Sequence, residues 1–120
     1  GGENISSIKK STYDKQRSQL ILKDTKNKVI NETSNSWSIY QSSKSVLQAT
    51  KAQLKAAEIA NEGITLEYDS GNTRTTLEVI QSRSILLDSR IAYAKAQRDF
   101  MVSQFELAKQ IGILSLNSVK

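Results

Sequence analysis

The side chains that most often do chemistry in proteins are missing from this sequence, which contains no histidine and no cysteine. Histidine-based catalytic triads, thiol nucleophiles, the common zinc sites and c-type haem attachment each need one of these two residues. One acidic pair, Glu58 and Glu62, has the i, i+4 spacing that is typical of a solvated helix face. Gly1-Gly2 is too short to form a phosphate-binding loop. The sequence therefore indicates a protein that is not an enzyme, with no catalytic residue, cofactor or metal site.

The composition favours helices that run without interruption. Among 120 residues there is no proline and there are only five glycines, so helix breakers are scarce. Hydrophobic residues make up 38% of the chain, which is low for a compact globule but suits helices that bury narrow stripes. No apolar run approaches the ~20 residues that a membrane-spanning helix needs, and no signal peptide is recognisable. We predict an all-α protein with a single domain, residues 1–120, folded as a long antiparallel helical hairpin or coiled coil.

The chain is basic, with seventeen lysines and arginines against twelve acids and a net charge of +5. Residues 1–55 hold ten of the basic residues and four acids, whereas residues 56–70 hold four acids and no base. A basic protein can bind nucleic acid when its charges cluster on one face among aromatic side chains. Here the lysines are scattered and few aromatic residues lie among them, so we predict no nucleic-acid partner.

The helical pattern is interrupted at residues 68–81. Gly71 can adopt a positive φ without steric strain, which makes it a natural residue to end a helix. Asn72, Thr73 and Thr75 are candidate caps for a following helix, and Thr75 with Glu78 has the form of a capping box. The pattern predicts a helix over residues 3–69, a turn over 70–74 and a helix over 75–110. We expect Gly112 to stop the second helix and residues 111–120 to form a tail.

Apolar residues recur every seven positions along the first helix. The main series is interrupted by one polar residue and comprises Tyr40, Leu47, Leu54, Asn61 and Tyr68. A second series lies beside it on the helix and comprises Thr50, Ala57 and Ile64. A third series, displaced around the helix, contains Ile39 and Val46. This repeat over so long a helix points to a coiled coil or a helical tube.

The second helix carries two separate series. One alternates by three and four residues and comprises Leu77, Ile80, Ser84, Leu87, Ile91, Ala94, Arg98, Met101, Phe105 and Ala108. The other repeats every seven residues and comprises Val79, Leu86, Tyr93, Phe100, Leu107 and Leu114. The two series face different directions, so this helix needs a neighbour on each side. An isolated hairpin supplies only one, and we therefore expect the chain to self-associate or to close into a tube.

The turn also carries a resemblance to a known family. A tyrosine, two residues, a glycine and a Thr/Arg-rich link into Leu-Glu-Val-Ile, residues 68–80, resembles the periplasmic tip of the TolC-type outer-membrane efflux proteins. The similarity extends over the chain: Gly1-Gly2, a long Lys/Gln/Ser/Ala-rich helix, the turn, and a second helix ending in Ala-Lys-Gln-Ile-Gly-Ile-Leu resemble the C-terminal half of that family. The turn is one residue longer between Gly71 and Glu78 than in close relatives, and Gln81 stands where the family commonly has a second acid.

The resemblance implies a function without chemistry. The chain would be a fragment of the periplasmic α-helical barrel of a trimeric outer-membrane channel for efflux or type I secretion. It would form the tunnel wall and entrance, contact a periplasmic adaptor protein and work with an inner-membrane transporter. Membrane contact would be made only by β-barrel segments outside this chain. The alternative is a coiled-coil hairpin with a structural role, or one from a periplasmic adaptor of the membrane-fusion type.

The resemblance also assigns roles at the entrance. Tyr68, Gly71, Arg74 and Glu78 match the family's entrance motif. Tyr68 would hydrogen-bond a neighbouring helix, and Arg74 would link to adjacent helices, so that both hold the entrance closed. Glu78 would line the conduit, and its repetition by symmetry would form a negatively charged ring that attracts cations.

Overall fold

The computed structural model describes residues 2–71 and 73–119, and in these residues the chain forms two α-helices and no strand. Helix α1 spans Gly2–Asp69 and helix α2 spans Thr76–Val119, with lengths of 68 and 44 residues. The predicted cap residue Asn72 lies outside the described residues, as do Gly1 and Lys120. The predicted all-α helical hairpin is confirmed.

The chain divides into two compact units, and each contains a part of both helices. The turn unit, Ser38–Glu106, contains the end of α1, the connecting turn and most of α2. The terminal unit combines Gly1–Trp37 with Leu107–Lys120. Within the turn unit the helices are antiparallel, because Asn61 contacts Ser82 near the turn and the Tyr40 ring stacks on the Phe100 ring farther from it, with centroids 5.4 Å apart.

One heptad seam, called here the inner seam, joins the two helices in the turn unit. On α2 its positions alternate by three and four residues, and its buried members are Val79, Ser82, Leu86, Ser89, Ala96 and Ser103. On α1 the matching positions are buried or half-buried, and they are Tyr40, Ser43, Leu47, Thr50, Leu54, Ala57, Asn61 and Ile64. Large apolar residues thus alternate with small or polar ones, so the hydrophobic contribution comes mainly from every second position.

The other apolar series of α2, called here the outer stripe, is not covered by α1. Its large members are all exposed, and they are Leu77, Ile80, Leu87, Ile91, Met101 and Phe105. The outer stripe is displaced by two residues from the inner seam, which corresponds to ~200° around an α-helix. A single neighbouring helix cannot contact both faces. The prediction that α1 alone does not satisfy both series is therefore confirmed.

The side chains of Ser82 and Asn61 are hydrogen-bonded across the inner seam. Ser82 Oγ donates to Asn61 Oδ1 over 2.9 Å in a part-buried position. A polar group in such a seam is tolerated when it has a partner. This explains how Asn61 can interrupt the apolar series of the first helix. Because Asn61 must lie opposite Ser82, the bond also favours this pairing of the two helices.

Helix α2 continues past the residue that was expected to stop it. Gly112 lies inside the helix, which reaches Val119, so the prediction of a helix end near residue 110 and a tail over 111–120 is wrong. The physical reason is packing in the terminal unit. Leu114 and Asn117 are half-buried there and line one groove with Val29 of α1. These contacts offset the cost of about 1 kcal/mol that a glycine brings to a helix interior.

Substitution of Gly63 and of Gly71 by alanine tests how the backbone conformation at each position affects stability. Gly63 is helical and, beyond its own helix backbone and chain neighbours, no described residue lies within 4 Å of an added Cβ, whereas Gly71 has a φ of 76°. We expect Gly63→Ala to raise the free energy of unfolding by about 1 kcal/mol, because alanine is the better helix former. Gly71→Ala should lower it by about 1 kcal/mol, because the left-handed conformation strains a Cβ. Urea unfolding followed by circular dichroism measures both, and a gain from Gly71→Ala would contradict the turn geometry.

Candidate functional site

The candidate site is the tip of the hairpin, where α1 ends and α2 begins. Ser70 N donates to Leu66 O over 3.0 Å, and Gly71 N donates to Tyr68 O over 3.1 Å. Gly71 is the one residue with a positive φ among those described. It reverses the chain direction at the end of α1, as the sequence predicted.

The start of α2 is fixed by a reciprocal cap. Thr75 Oγ1 accepts a hydrogen bond from Glu78 N over 3.2 Å, and Glu78 Oε2 accepts one from Thr75 N over 3.0 Å. Val79 N then donates to Thr75 O over 3.2 Å. The predicted capping box of Thr75 and Glu78 is confirmed. The Glu78 carboxylate is consequently held at the first turn of α2, where the positive end of the helix dipole also favours it.

Tyr68 links the two helices at the tip. Its hydroxyl lies 3.1 Å from Thr76 Oγ1, which places the two hydroxyls within hydrogen-bonding distance. Tyr68 belongs to the last turn of α1 and Thr76 is the first residue of α2. The phenol therefore joins the two sides of the turn within one chain, while 40% of the residue remains exposed.

Arg74 bridges the same two helices by charge. Its Nε donates directly to Glu67 Oε2 in the last turn of α1, and its Nη1 lies 3.9 Å from Glu78 Oε2 in α2. The hydrogen bond to Glu67 and the charge of Glu67 raise the pKa of Arg74 above its ordinary value; desolvation opposes this rise, and the charge of Glu78 makes the smallest contribution to it. The guanidinium is thus a permanent cation held between two carboxylates.

All four predicted entrance residues, Tyr68, Gly71, Arg74 and Glu78, lie at this tip. Their expected links to neighbouring helices stay predictions, because the bonds described here are made within one chain. Two further residues, Glu67 and Thr76, complete the tip and were not predicted from the sequence. Glu67 has no motif around it, since its partner lies seven residues away across a turn. The available signal was the acidic stretch 56–70, which is followed shortly by Arg74.

The arrangement can hold a conformation and present charge, but it offers no nucleophile paired with a base. In the described residues no group of three or more acidic side chains comes together as a possible metal site. Neither helix, in its described length, has an apolar segment of the kind that crosses a bilayer. The contacts that the described tip residues make are hydrogen bonds and ion pairs.

Comparison with known proteins shows a similarity over almost the whole chain. The chain is 24% identical, over 119 residues, to the outer membrane efflux protein BepC of Brucella suis biovar 1 (strain 1330). The aligned region covers 99% of this chain and 26% of that protein, so the chain spans about a quarter of the relative's length. No protein-family model matches the chain, and no solved structure matches it significantly. The similarity supports a relationship to the outer-membrane efflux proteins over the whole chain.

Proposed function

We propose that this chain is a periplasmic helical hairpin of a TolC-type outer-membrane channel for efflux or type I secretion. The observation that carries the proposal is the similarity over 99% of the chain to a protein named as an outer membrane efflux protein. A hairpin of two long helices suits the wall of a tube, because the outer stripe of α2 is available to another helix. The similarity favours this function over the adaptor-type coiled coil, which would share only the fold.

In this function the chain conducts substrate without transforming it. Three copies of the full-length protein would surround the conduit, and the tips of the hairpins would form its periplasmic entrance. A periplasmic adaptor would contact the tips and connect the duct to an inner-membrane transporter. The outer membrane would be reached by parts of the protein beyond this hairpin.

The tip residues would act as an entrance gate. Tyr68 and Arg74 would bond to a neighbouring hairpin in the closed state, and Glu78 would contribute one carboxylate per copy to the rim. The capping box supports this role of Glu78, because it fixes the carboxylate at the first turn of α2. A ring of fixed acids at a narrow entrance would favour cations over anions.

The gate can be tested by removing both links in the full-length protein. We expect the double variant Tyr68→Phe, Arg74→Ala to raise single-channel conductance in planar lipid bilayers, because the closed entrance would lose two of its bonds per copy. Trimer formation should be unchanged, since the inner seam and the outer stripe are intact. Conductance and oligomeric state are measured on the same purified protein.

Arg83→Ala is the matched control for this test. Arg83 is an exposed arginine of α2, nine residues beyond Arg74 in the sequence. Its removal deletes the same charge without touching the tip, so conductance should stay at the wild-type value. A double variant that conducts like the wild type would show that the hairpin is a wall and not a gate.

A further inference from the structure

The tip concentrates acidic charge around one cation. Between Lys55 and Arg83 the sequence contains five acids, and Arg74 is the only base. Helix α1 has no basic residue in its last turn, although the end of a helix carries partial negative charge. Arg74 is therefore the one permanent positive charge that this part of the sequence provides to offset both the acids and the helix end.

The two carboxylates that face Arg74 are not equivalent. Glu78 Oε2 is occupied by the capping box, since it accepts from Thr75 N, and it lies 3.9 Å from the guanidinium. Glu67 makes the direct hydrogen bond to Arg74 Nε. Glu67 is thus the main partner of Arg74 within the hairpin, and Glu78 adds only a longer-range attraction.

This geometry limits what else Arg74 can bind. An arginine holds a carboxylate most firmly with two parallel N–H donors, either Nε with one Nη or the two Nη atoms together. Here Nε is bonded to Glu67 and Nη1 faces Glu78. The edge formed by Nε and its neighbouring Nη is engaged through the hydrogen bond to Glu67, so a further carboxylate can be bound at that edge by two donors only after this bond is broken, whereas the contact of Nη1 with Glu78 is an ion pair without a hydrogen bond.

We infer that Glu67 competes with neighbouring hairpins for Arg74 and so biases the entrance towards its open state. In a single hairpin Arg74 is hydrogen-bonded to Glu67. In a closed entrance this bond is broken, and Arg74 bonds to a neighbouring helix instead. Glu67 is then a regulatory residue that acts through Arg74. The part of this inference that concerns opening rests on the proposed function, whereas the bond between Glu67 and Arg74 does not.

The internal bond can be tested on this chain alone. In isotope-edited NMR at neutral pH and low salt, we expect the Arg74 Nε–H to exchange with water more slowly than that of exposed Arg83. Glu67→Gln should bring its exchange rate close to the Arg83 value. Glu62→Gln removes an exposed acid five residues earlier and should leave the Arg74 signal unchanged. An Arg74 signal that Glu67→Gln does not move would overturn the inference at its first step.

The effect of Glu67 on opening is tested in the full-length protein by the direction in which its substitution changes single-channel conductance. We expect Glu67→Gln to lower single-channel conductance, because it frees Arg74 for the closed state, while Arg74→Ala raises it. Glu62→Gln again serves as the control for charge. A rise with Glu67→Gln, or no change, would overturn the competition even if the NMR result stands. Failure of the proposed gate would be recognised separately, because conductance would then be insensitive to Arg74→Ala as well.

Discussion

Leu86→Ala is expected to lower the free energy of unfolding by about 2–3 kcal/mol, whereas Leu87→Ala should change it by less than about 0.5 kcal/mol. The two leucines are adjacent in the sequence, but Leu86 is 8% exposed in the inner seam and Leu87 is 56% exposed on the outer stripe. Truncating Leu86 removes buried methyl groups and leaves a cavity against α1. Truncating Leu87 removes groups that solvent already reaches. Urea unfolding followed by circular dichroism gives both values.

The comparison is internally controlled, because both variants make the same chemical change in the same turn of α2. The difference in helix propensity between leucine and alanine is therefore identical and cancels. The measurement is made at protein concentrations where the chain is monomeric, so that self-association does not contribute to either value. Equal losses at the two positions would show that α1 does not pack preferentially on the face that carries Leu86, and the assignment of the inner seam would be wrong.

This assignment is the part of the fold that the sequence did not decide. Both series of α2 repeat at coiled-coil spacing, and the Leu77 series had the more regular alternation by three and four. The inner seam is harder to recognise, because the positions between its large residues Val79, Leu86, Tyr93 and Phe100 are filled by serine or alanine. A hydrophobic pattern ranks faces by the apolar residues they contain. It does not specify which face of α2 packs against α1 and which face stays exposed to bind another helix.

The ends of the elements were predictable where local chemistry decides them. Gly71 and the capping box of Thr75 with Glu78 set the turn by conformational preference and hydrogen bonds within a few residues, and both were read from the sequence. Gly112 was misjudged for the opposite reason. Its local propensity to end a helix is outweighed by the packing of Leu114 and Asn117 in the terminal unit, which depends on residues about 85 positions away in α1.

The tip residues that were predicted differ from those that were not in the same way, by local motif against contact between distant residues. Tyr68, Arg74 and Glu78 belong to a short motif, so their common location at the tip could be expected. Glu67 and Thr76 contribute through contacts that exist only after the turn has brought the two helices together. The partners of Tyr68 and Arg74 within the hairpin were therefore found only in the structure. Because Arg74 is already bonded to Glu67, a bond from Arg74 to a neighbouring helix has to compete with this internal bond.

The outer stripe predicts that this chain associates with itself. Leu87 and Phe105 lie on one face of α2 with exposed fractions of 56% and 72%, in line with four other large apolar residues. An aligned set of this kind is more than scattered surface hydrophobicity and is typical of an interface between helices. We expect analytical ultracentrifugation to show a dimer or a higher oligomer at high protein concentration.

The double variant Leu87→Gln, Phe105→Gln should remain monomeric under conditions where the wild type associates. Burial of a leucine or phenylalanine side chain contributes about 1.5–3 kcal/mol, so losing two of them weakens association by at least roughly a hundredfold. Glutamine retains good helix propensity, and circular dichroism should report unchanged helicity. Leu20→Gln with Ile21→Gln is the matched control, because these residues are similarly exposed but lie on α1 outside the stripe. A wild-type chain that stays monomeric at the highest concentration would show that the stripe is solvated, and equal effects of the two double variants would show that association does not use this face.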